Sequence, residues 1–142
     1  MTTVGPRPAD ALDPARDTFP KLVASNATRL AGKVAIREKQ LGIWQAHTWS
    51  QYLAESRLIA LGLAALGFAR GDRTAVIGDN RPPLYWAMLA TQALGGVPVP
   101  LYQDSIEKEM QFILDHAEAR CAVVEDQEQV DKLLHVRAEC PR

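Results

Sequence analysis

The chain has 142 residues, 47% of them apolar, and 16 basic against 17 acidic side chains give a formal net charge of −1. That length supports one folded domain, since a chain of this size buries roughly 70% of its unfolded surface. The balanced charge removes the electrostatic case for a nucleic-acid partner, which calls for a strongly basic face, and offers none for an acidic membrane surface.

Met1 to Asp17 is rich in Pro, Ala and Asp and lacks the apolar stretch of a secretory signal. It reads as a flexible leader, with residues 18–142 following as one unit. Thr18 is a natural N-cap for a helix that turns Phe19, Leu22, Val23 and Leu30 to one side. Lys33–Arg37 and Ile43–His47 are short strand candidates, and Lys39–Gly42 between them predicts a β-hairpin. Thr48-Trp49-Ser50-Gln51 has the capping-box spacing and opens a helix to about Leu66, with Gly67 as its stop and Phe68 placed to pack back. After Arg57 that helix is apolar on most sides (Leu58, Ile59, Leu61, Leu63, Leu66), which predicts burial against more than one neighbour.

The period then changes. Thr74–Ile77 reads as a buried strand and Gly78–Arg81 as a turn. Pro82-Pro83 suits the first turn of a helix carrying Leu84, Tyr85, Met88, Leu89 and Gln92. Gly95-Gly96 ends it, and the prolines of Val97-Pro98-Val99-Pro100 argue for an edge strand or a strand end. Asp104-Ser105-Ile106-Glu107 is a second capping-box-like start, for a helix with Ile106, Met110, Ile113 and Leu114 on one face, stopping near Ala117. Cys121–Glu125 is a third strand. Asp126–Gln129 opens a last helix with Val130, Leu133, Leu134 and Arg137, ending at Cys140-Pro141. The fold class is therefore α/β: an N-terminal β-hairpin with helices, then a βαβαβα unit that commits the chain to a parallel sheet. The longest nearly uncharged run, Leu58–Ala69, is far short of the roughly 20 residues that span a bilayer.

Parallel sheets bind ligands beyond the carboxyl ends of their strands, so the loops of interest are Gly78–Arg81, Leu101–Ser105 and Glu125–Gln127. None carries a glycine-rich phosphate loop, without which backbone N–H groups do not converge on phosphate. Asn80 and Arg81 precede a helix and are suited to an anion, but the plainer reading makes Asn80 the cap and Arg81 a solvated cation. Asp104 and Ser105 have the same two readings, with capping favoured. His47, His116 and His135 stand far apart with no carboxylate or cysteine at ligand spacing, so each reads as a satisfied or exposed histidine. Cys121, at the head of an apolar run, reads as a small buried hydrophobe, and Cys121 and Cys140 make no disulfide framework or metal site. No Ser/His/Asp or Cys/His grouping is recognisable. Trp44, Trp49 and Trp86 read as packing for the core or the hairpin–helix junction, with an aromatic platform as the sharper alternative. Glu107, Lys108, Glu109 and the Glu125–Glu128 cluster read as solvated charge at helix starts.

Three segments carry a family resemblance. His47-Thr48-Trp49-Ser50-Gln51-Tyr52 resembles the Leu-Thr-Tyr-x-Glu-Leu motif of the AMP-forming acyl-CoA synthetases, the adenylate-forming ligases, with Trp for Tyr and Gln for Glu. Leu66–Val76 resembles that family's Leu-Gly-Val-x-x-Gly-Asp-Arg-Val-Ala stretch, with Asn80 where the family has an Asn. Ala93–Leu101 resembles its Gly-Ala-x-x-x-Pro-Leu motif. Order and spacing agree over about Phe19–Val136. The ending Val99-Pro100-Leu101-Tyr102 leans toward the long-chain fatty acid–CoA ligases.

The sparse cysteines point to the cytoplasm, and the resemblance implies the N-terminal portion of a larger ligase domain whose intact form takes fatty acid, ATP, magnesium and CoA. It implies two steps: the carboxylate attacks the α-phosphate of ATP and releases pyrophosphate, and the CoA thiol then displaces AMP. The family's Ser/Thr/Gly-rich loop ending in Pro-Lys-Gly and its Tyr-Gly-x-Thr-Glu segment are missing from this sequence. No catalytic, cofactor-binding or metal residue is therefore assigned, and the chain alone is expected to be inactive, to bind no cofactor and to expose apolar surface meant for the remaining part of the ligase domain. Peripheral membrane contact stays open. The rival readings are a non-catalytic binding or regulatory module on the ligase scaffold and a flavodoxin- or receiver-like domain. Against a receiver, Asp79 stands alone after the first strand of the parallel unit.

Overall fold

A computed structural model describes residues 13–140. Most of the leader expected over residues 1–17 lies outside the described residues, and the last helix, expected to reach Cys140-Pro141, ends at Val136 with a 3₁₀ turn to Glu139. The elements run α1 (Phe19–Arg29), β1 (Val34–Gln40), β2 (Ile43–Thr48), α2 (Trp49–Ala65), β3 (Arg73–Ile77), α3 (Pro82–Ala93), β4 (Val97–Leu101), α4 (Glu107–His116), β5 (Ala119–Val124) and α5 (Gln127–Val136), with a 3₁₀ turn at Arg137–Glu139. Strands β1 and β2 form an antiparallel hairpin, and β4-β3-β5 form a parallel sheet with β3 in the middle. The expected hairpin and βαβαβα order are both present.

Capping chemistry sets several boundaries. Thr18 caps α1, its hydroxyl accepting from the Lys21 N–H at 3.5 Å. Thr48 caps α2 through both halves of the box: its hydroxyl accepts from the Gln51 N–H at 3.3 Å, and Gln51 Oε1 accepts from the Thr48 N–H at 2.9 Å. Helix α2 ends in a Schellman motif, with Gly67 at φ +84°. There Gly67 N–H donates to Ala64 O at 2.9 Å and Phe68 N–H to Leu63 O at 3.0 Å.

Strand β3 is the centre of the core: Thr74 and Ala75 are 0% exposed, Val76 and Ile77 1%. Period-two alternation splits it between two layers. Ala75 and Ile77 pack with Leu101 and the α4 side chain Met110, flanked by Ile113, Leu114 and Leu133. Thr74 and Val76 point to the opposite face, where α3 packs on β3 and on the α1–α2 pair. Strand β4 bonds to β3 through alternate residues, beginning with Val97 N–H to Asp72 O at 2.9 Å, so Pro98 and Pro100, which have no N–H, turn their nitrogens off the sheet. On the other side, Glu125 N–H donates to Ile77 O at 3.0 Å, and no strand among the described residues pairs with the outer edge of β5.

Four expectations are corrected. Strand β1 continues past Arg37 to Gln40, and the turn is only Leu41-Gly42, both at positive φ (49° and 82°), the type I′ signature whose twist matches the flanking strands. Helix α2 is not buried on most sides: Leu63 is 6% exposed, but Leu58, Leu61 and Leu66 are 64%, 66% and 83% exposed. It does have more than one neighbour, packing on α1, α3 and the hairpin, and these leucines are the exposed apolar surface expected of the chain alone. Helix α4 starts later than Asp104-Ser105. The Ser105 N–H is held in a turn by Tyr102 O at 3.1 Å, which leaves Ile106 as N-cap with no side-chain acceptor. Only Glu109 completes its half of the box, accepting from the Ile106 N–H at 3.4 Å. Finally, Phe19, Ile106 and Leu134, expected on buried faces, are more than half exposed.

Candidate functional site

The candidate site is the carboxyl end of the parallel sheet. Strand β3 leaves toward α3 on one face, whereas β4 and β5 leave toward α4 and α5 on the other. Such a reversal opens a crevice on each side of the central strand. The three loops singled out from the sequence meet here.

Gly78 makes the approach possible. A Cβ on it would fall 2.8 Å from both Cβ and Oε2 of Glu125, so a side chain there would drive the β5 exit loop away. Glu125 Oε2 accepts a short hydrogen bond from the Asp79 N–H. Its other oxygen lies 3.6 Å from Arg81 Nη1. Asp79 Oδ1 accepts from Gln103 Nε2 at 2.8 Å, which ties in the β4 exit loop. Lys132 of α5 completes the knot, donating to Gln103 O at 2.9 Å while its ammonium lies 2.8 Å from Glu128. On the α3 side Tyr85 Oη donates to Asn80 Oδ1 at 3.5 Å, and Tyr52 Oη to Tyr85 O at 3.5 Å. Burial holds the Tyr52 phenol above its ordinary pKa, and the neighbouring Tyr85 adds to the rise.

Two cavities flank β3, of about 330 Å³ toward β5 and 380 Å³ toward β4. Glu38, Gln40, Arg81 and Glu125 line the first; Asn80, Tyr102 and Asp104 line the second. Both are near the lower end of the size range for small-molecule sites. Their walls are strand and α3 side chains such as Val76 and Leu84, and their polar groups are mostly carboxylates and amides, with Arg81 in the first and Tyr102 in the second. The Asp79 N–H, a donor that phosphate would use, is already taken by the Glu125 carboxylate, which also holds Arg81. Among the described residues no group of three His, Cys, Asp or Glu could hold a metal ion.

The reading of Asn80 as helix cap is overturned: Arg81 occupies the N-cap position of α3, and no side chain caps it. Pro82 is the first helical residue, which leaves Asn80 one position outside the cap, where its Oδ1 accepts from Tyr85 Oη instead. Nor is Arg81 simply solvated, since it pairs with Glu125. That acid in turn is no mere helix-start charge, whereas Asp126 does cap α5, accepting from the Gln129 N–H at 3.0 Å. Asp104 and Ser105 cap nothing.

The histidines stay apart. His47 Nε2 is 3.5 Å from Glu38 Oε1 with its ring edge-on to Trp86, His116 stacks on Phe112, and His135 Nδ1 is 3.7 Å from Glu107. Trp44 is 67% exposed on the hairpin, which corrects its reading as packing, whereas Trp49 and Trp86 are half-buried. Cys121 is half-buried rather than fully so, its Sγ 3.4 Å from Thr74 Oγ1. Burial raises the pKa of the Cys140 thiol, with Asp115 and Glu139 adding negative charge. Sequence reasoning placed Gly78 and Gln103 in loops of interest without giving them a role, and missed Lys132. A glycine directly after a buried strand was a signal for the first; the other two carry none.

A family model described as AMP-binding enzyme matches residues 23–141. Among curated relatives, a long-chain-fatty-acid–CoA ligase ACSBG2 of Xenopus laevis is 27% identical over 124 residues, which is 87% of this chain and 17% of the relative. A long-chain-fatty-acid–CoA ligase ACSBG1 of Rattus norvegicus is 28% identical over 107 residues, 75% of this chain and 15% of the relative. The chain thus spans less than a fifth of the length of these relatives. Among solved structures, the anthranilate CoA ligase AuaEII in complex with anthranoyl-AMP superposes with a TM-score of 0.78 at 20% identity, covering 86% of this chain and 23% of that one. The N-terminal domain of FACL13 from Mycobacterium tuberculosis gives 0.75 at 24%, covering 84% and 29%. The Klebsiella oxytoca NpsA N-terminal subdomain gives 0.69 at 26%, covering 77% and 28%.

Proposed function

This chain belongs to the AMP-binding enzyme family, and from that premise we propose that it forms the N-terminal portion of an AMP-forming long-chain fatty acid–CoA ligase. The family match across residues 23–141 carries the reading; the names of the relatives supply the substrate class. In the intact ligase a fatty acid carboxylate oxygen attacks the α-phosphorus of ATP and pyrophosphate leaves. The CoA sulfur then attacks the acyl carbon, AMP leaves, and the thiol proton is lost to solvent. The role proposed for this chain is scaffold: the β4-β3-β5 sheet and its knotted exit loops support a site whose phosphate-binding groups come from other segments. The engagement of the Asp79 N–H and of Arg81 by the Glu125 carboxylate supports this division, because it takes up two groups that would otherwise face phosphate. The magnesium that accompanies ATP is proposed to be held by the same other segments, since among the described residues no group of three His, Cys, Asp or Glu stands together. The proposed compartment is the cytoplasm. No helix among the described residues is long and apolar enough to cross a membrane.

The test has two arms. Reading the coding frame past Arg142 should reach a Ser/Thr/Gly-rich loop ending in Pro-Lys-Gly and then Tyr-Gly-x-Thr-Glu; a stop codon directly after Arg142 would favour a non-catalytic module on the same scaffold. Purified chain given ATP, magnesium, palmitate and CoA should release no AMP above the blank. Turnover by the isolated chain would overturn the scaffold role.

A further inference from the structure

Helix α2 carries an apolar stripe on the side it turns to solvent. Its buried positions are Ser56 and Leu63, on the side that packs on its neighbours. Ala54, Leu58, Leu61 and Ala65 are all exposed, and at 3.6 residues per turn they fall within about 60° of one another, opposite Leu63. Leu58 and Leu61 themselves are 64% and 66% exposed. Steps of four, three and four residues make a straight, narrow seam of the kind one helix offers to another.

The seam is complementary to itself. It reads Ala-Leu-Leu-Ala in both directions, so a two-fold axis midway between Leu58 and Leu61 sets Leu58 against Leu61 of a second copy and Ala54 against Ala65. That is the property an isologous contact demands. The flanks comply as well. Arg57 then runs beside Ala64 of the second copy, and Glu55 beside Gly62, where no heavy atom stands within 4 Å of a Cβ position. Both long side chains have room to lie across the contact with their charges in water. A net charge of −1 puts little repulsion between copies. The unpaired border of the sheet is β5, whereas α2 packs on α1, α3 and the hairpin, so a strand added to the sheet does not by itself cover the seam.

We infer that the outer face of α2 is a self-association surface, which joins two copies of this chain through an antiparallel α2–α2 contact. The helix dipoles oppose one another in that arrangement, and Ala54, Gly62 and Ala65 let the two axes approach closely. A seam one helix wide removes on the order of 500 Å² a side, about 1,000 Å² in all, which is the low end of specific interfaces and makes the dimer a reversible one. This goes beyond the ligase reading and does not depend on it.

The experiment is sedimentation equilibrium of the full chain over a concentration series, in which the wild type should pass from monomer to dimer and no further. Leu58→Glu or Leu61→Lys alone sets an unpaired charge against a leucine of the second copy and should weaken the dimer about tenfold or more. An equimolar mixture of the two variants brings the new acid against the new base and should recover most of the affinity. Orientation is read by cross-linking in chains whose two native cysteines are changed to alanine. Ala54→Cys mixed with Ala65→Cys should join through a short bis-maleimide, and neither variant alone should, because antiparallel packing holds like positions about 16 Å apart. All four positions are exposed, so the urea midpoints of the single variants should match the wild type. A wild type that stays monomeric leaves the seam to another segment of a longer chain and overturns the inference. So does association without limit, a Leu58→Glu dimer as tight as the wild type, or a mixture that recovers nothing. None of these results bears on the coding-frame or turnover tests of the ligase reading.

Discussion

Replacing Gly96 with alanine tests the packing at the entry to β4. A Cβ at that position would meet Phe68 Cζ at 2.5 Å, Phe68 Cε1 at 2.6 Å and the Asp72 carbonyl oxygen at 2.7 Å. The phenyl ring has room to swing, because Phe68 is only half-buried, but the carbonyl does not. It accepts the Val97 N–H at 2.9 Å, the bond that opens the β3–β4 ladder. Overpacking of this kind costs about 1–3 kcal/mol, and weakening the ladder bond adds about 1 kcal/mol, for a total of about 2–4 kcal/mol. With a urea m-value near 2 kcal/mol/M, the unfolding midpoint followed by circular dichroism should fall by about 1–2 M with m unchanged. Shrinking the ring in a Phe68→Leu, Gly96→Ala double variant should restore little, because the carbonyl remains. A midpoint within about 0.25 M of wild type for Gly96→Ala, or near-complete rescue by the smaller ring, would refute this account.

Three further outcomes follow from other parts of the fold. Met110 is 0% exposed at the junction of α4 with β3 and β4, so Met110→Ala should cost about 2–5 kcal/mol in the same denaturation assay. Removing the α2 cap with Thr48→Ala should cost about 1 kcal/mol, read as a lower thermal midpoint, and Thr48→Ser should recover most of it. The Tyr52 phenol has a folded pKa above its ordinary 10.0, chiefly through burial. The unfolded chain therefore loses that proton first. Its stabilising contribution is fully present below the ordinary value and is lost as pH rises through the folded one. Tyr52→Phe should flatten the alkaline fall in stability measured by urea titration.

The parts of the fold that were legible in the sequence rest on local chemistry. Thr48 with Gln51, Gly67 before Phe68, and the alternate prolines of β4 each impose a backbone outcome regardless of what lies beyond them. Where the outcome depended on distant neighbours the sequence was less informative. Whether Leu58 and Leu61 are covered depends on what packs against α2, and composition cannot supply that. Asn80 failed as a cap for a local reason that was open to reading: Pro82 takes the first helical position, which leaves Asn80 one residue outside the cap. The joining of Asp79, Gln103 and Glu125 required knowing that β3 lies between β4 and β5. Chain order leaves that arrangement open, so the knot at the candidate site was out of reach.

The two prolines of β4 give the parallel sheet a direction of growth. A strand approaching from that flank meets Pro98 and Pro100 where it needs N–H donors, so pairing there would be interrupted at alternate positions. The flank of β5 has no such obstruction. Any further strand, from whatever chain, has one docking address, and it is the side on which Cys140, the last described residue, lies. The two borders of the sheet are thus unequal: one terminates it, and the other stays open to addition.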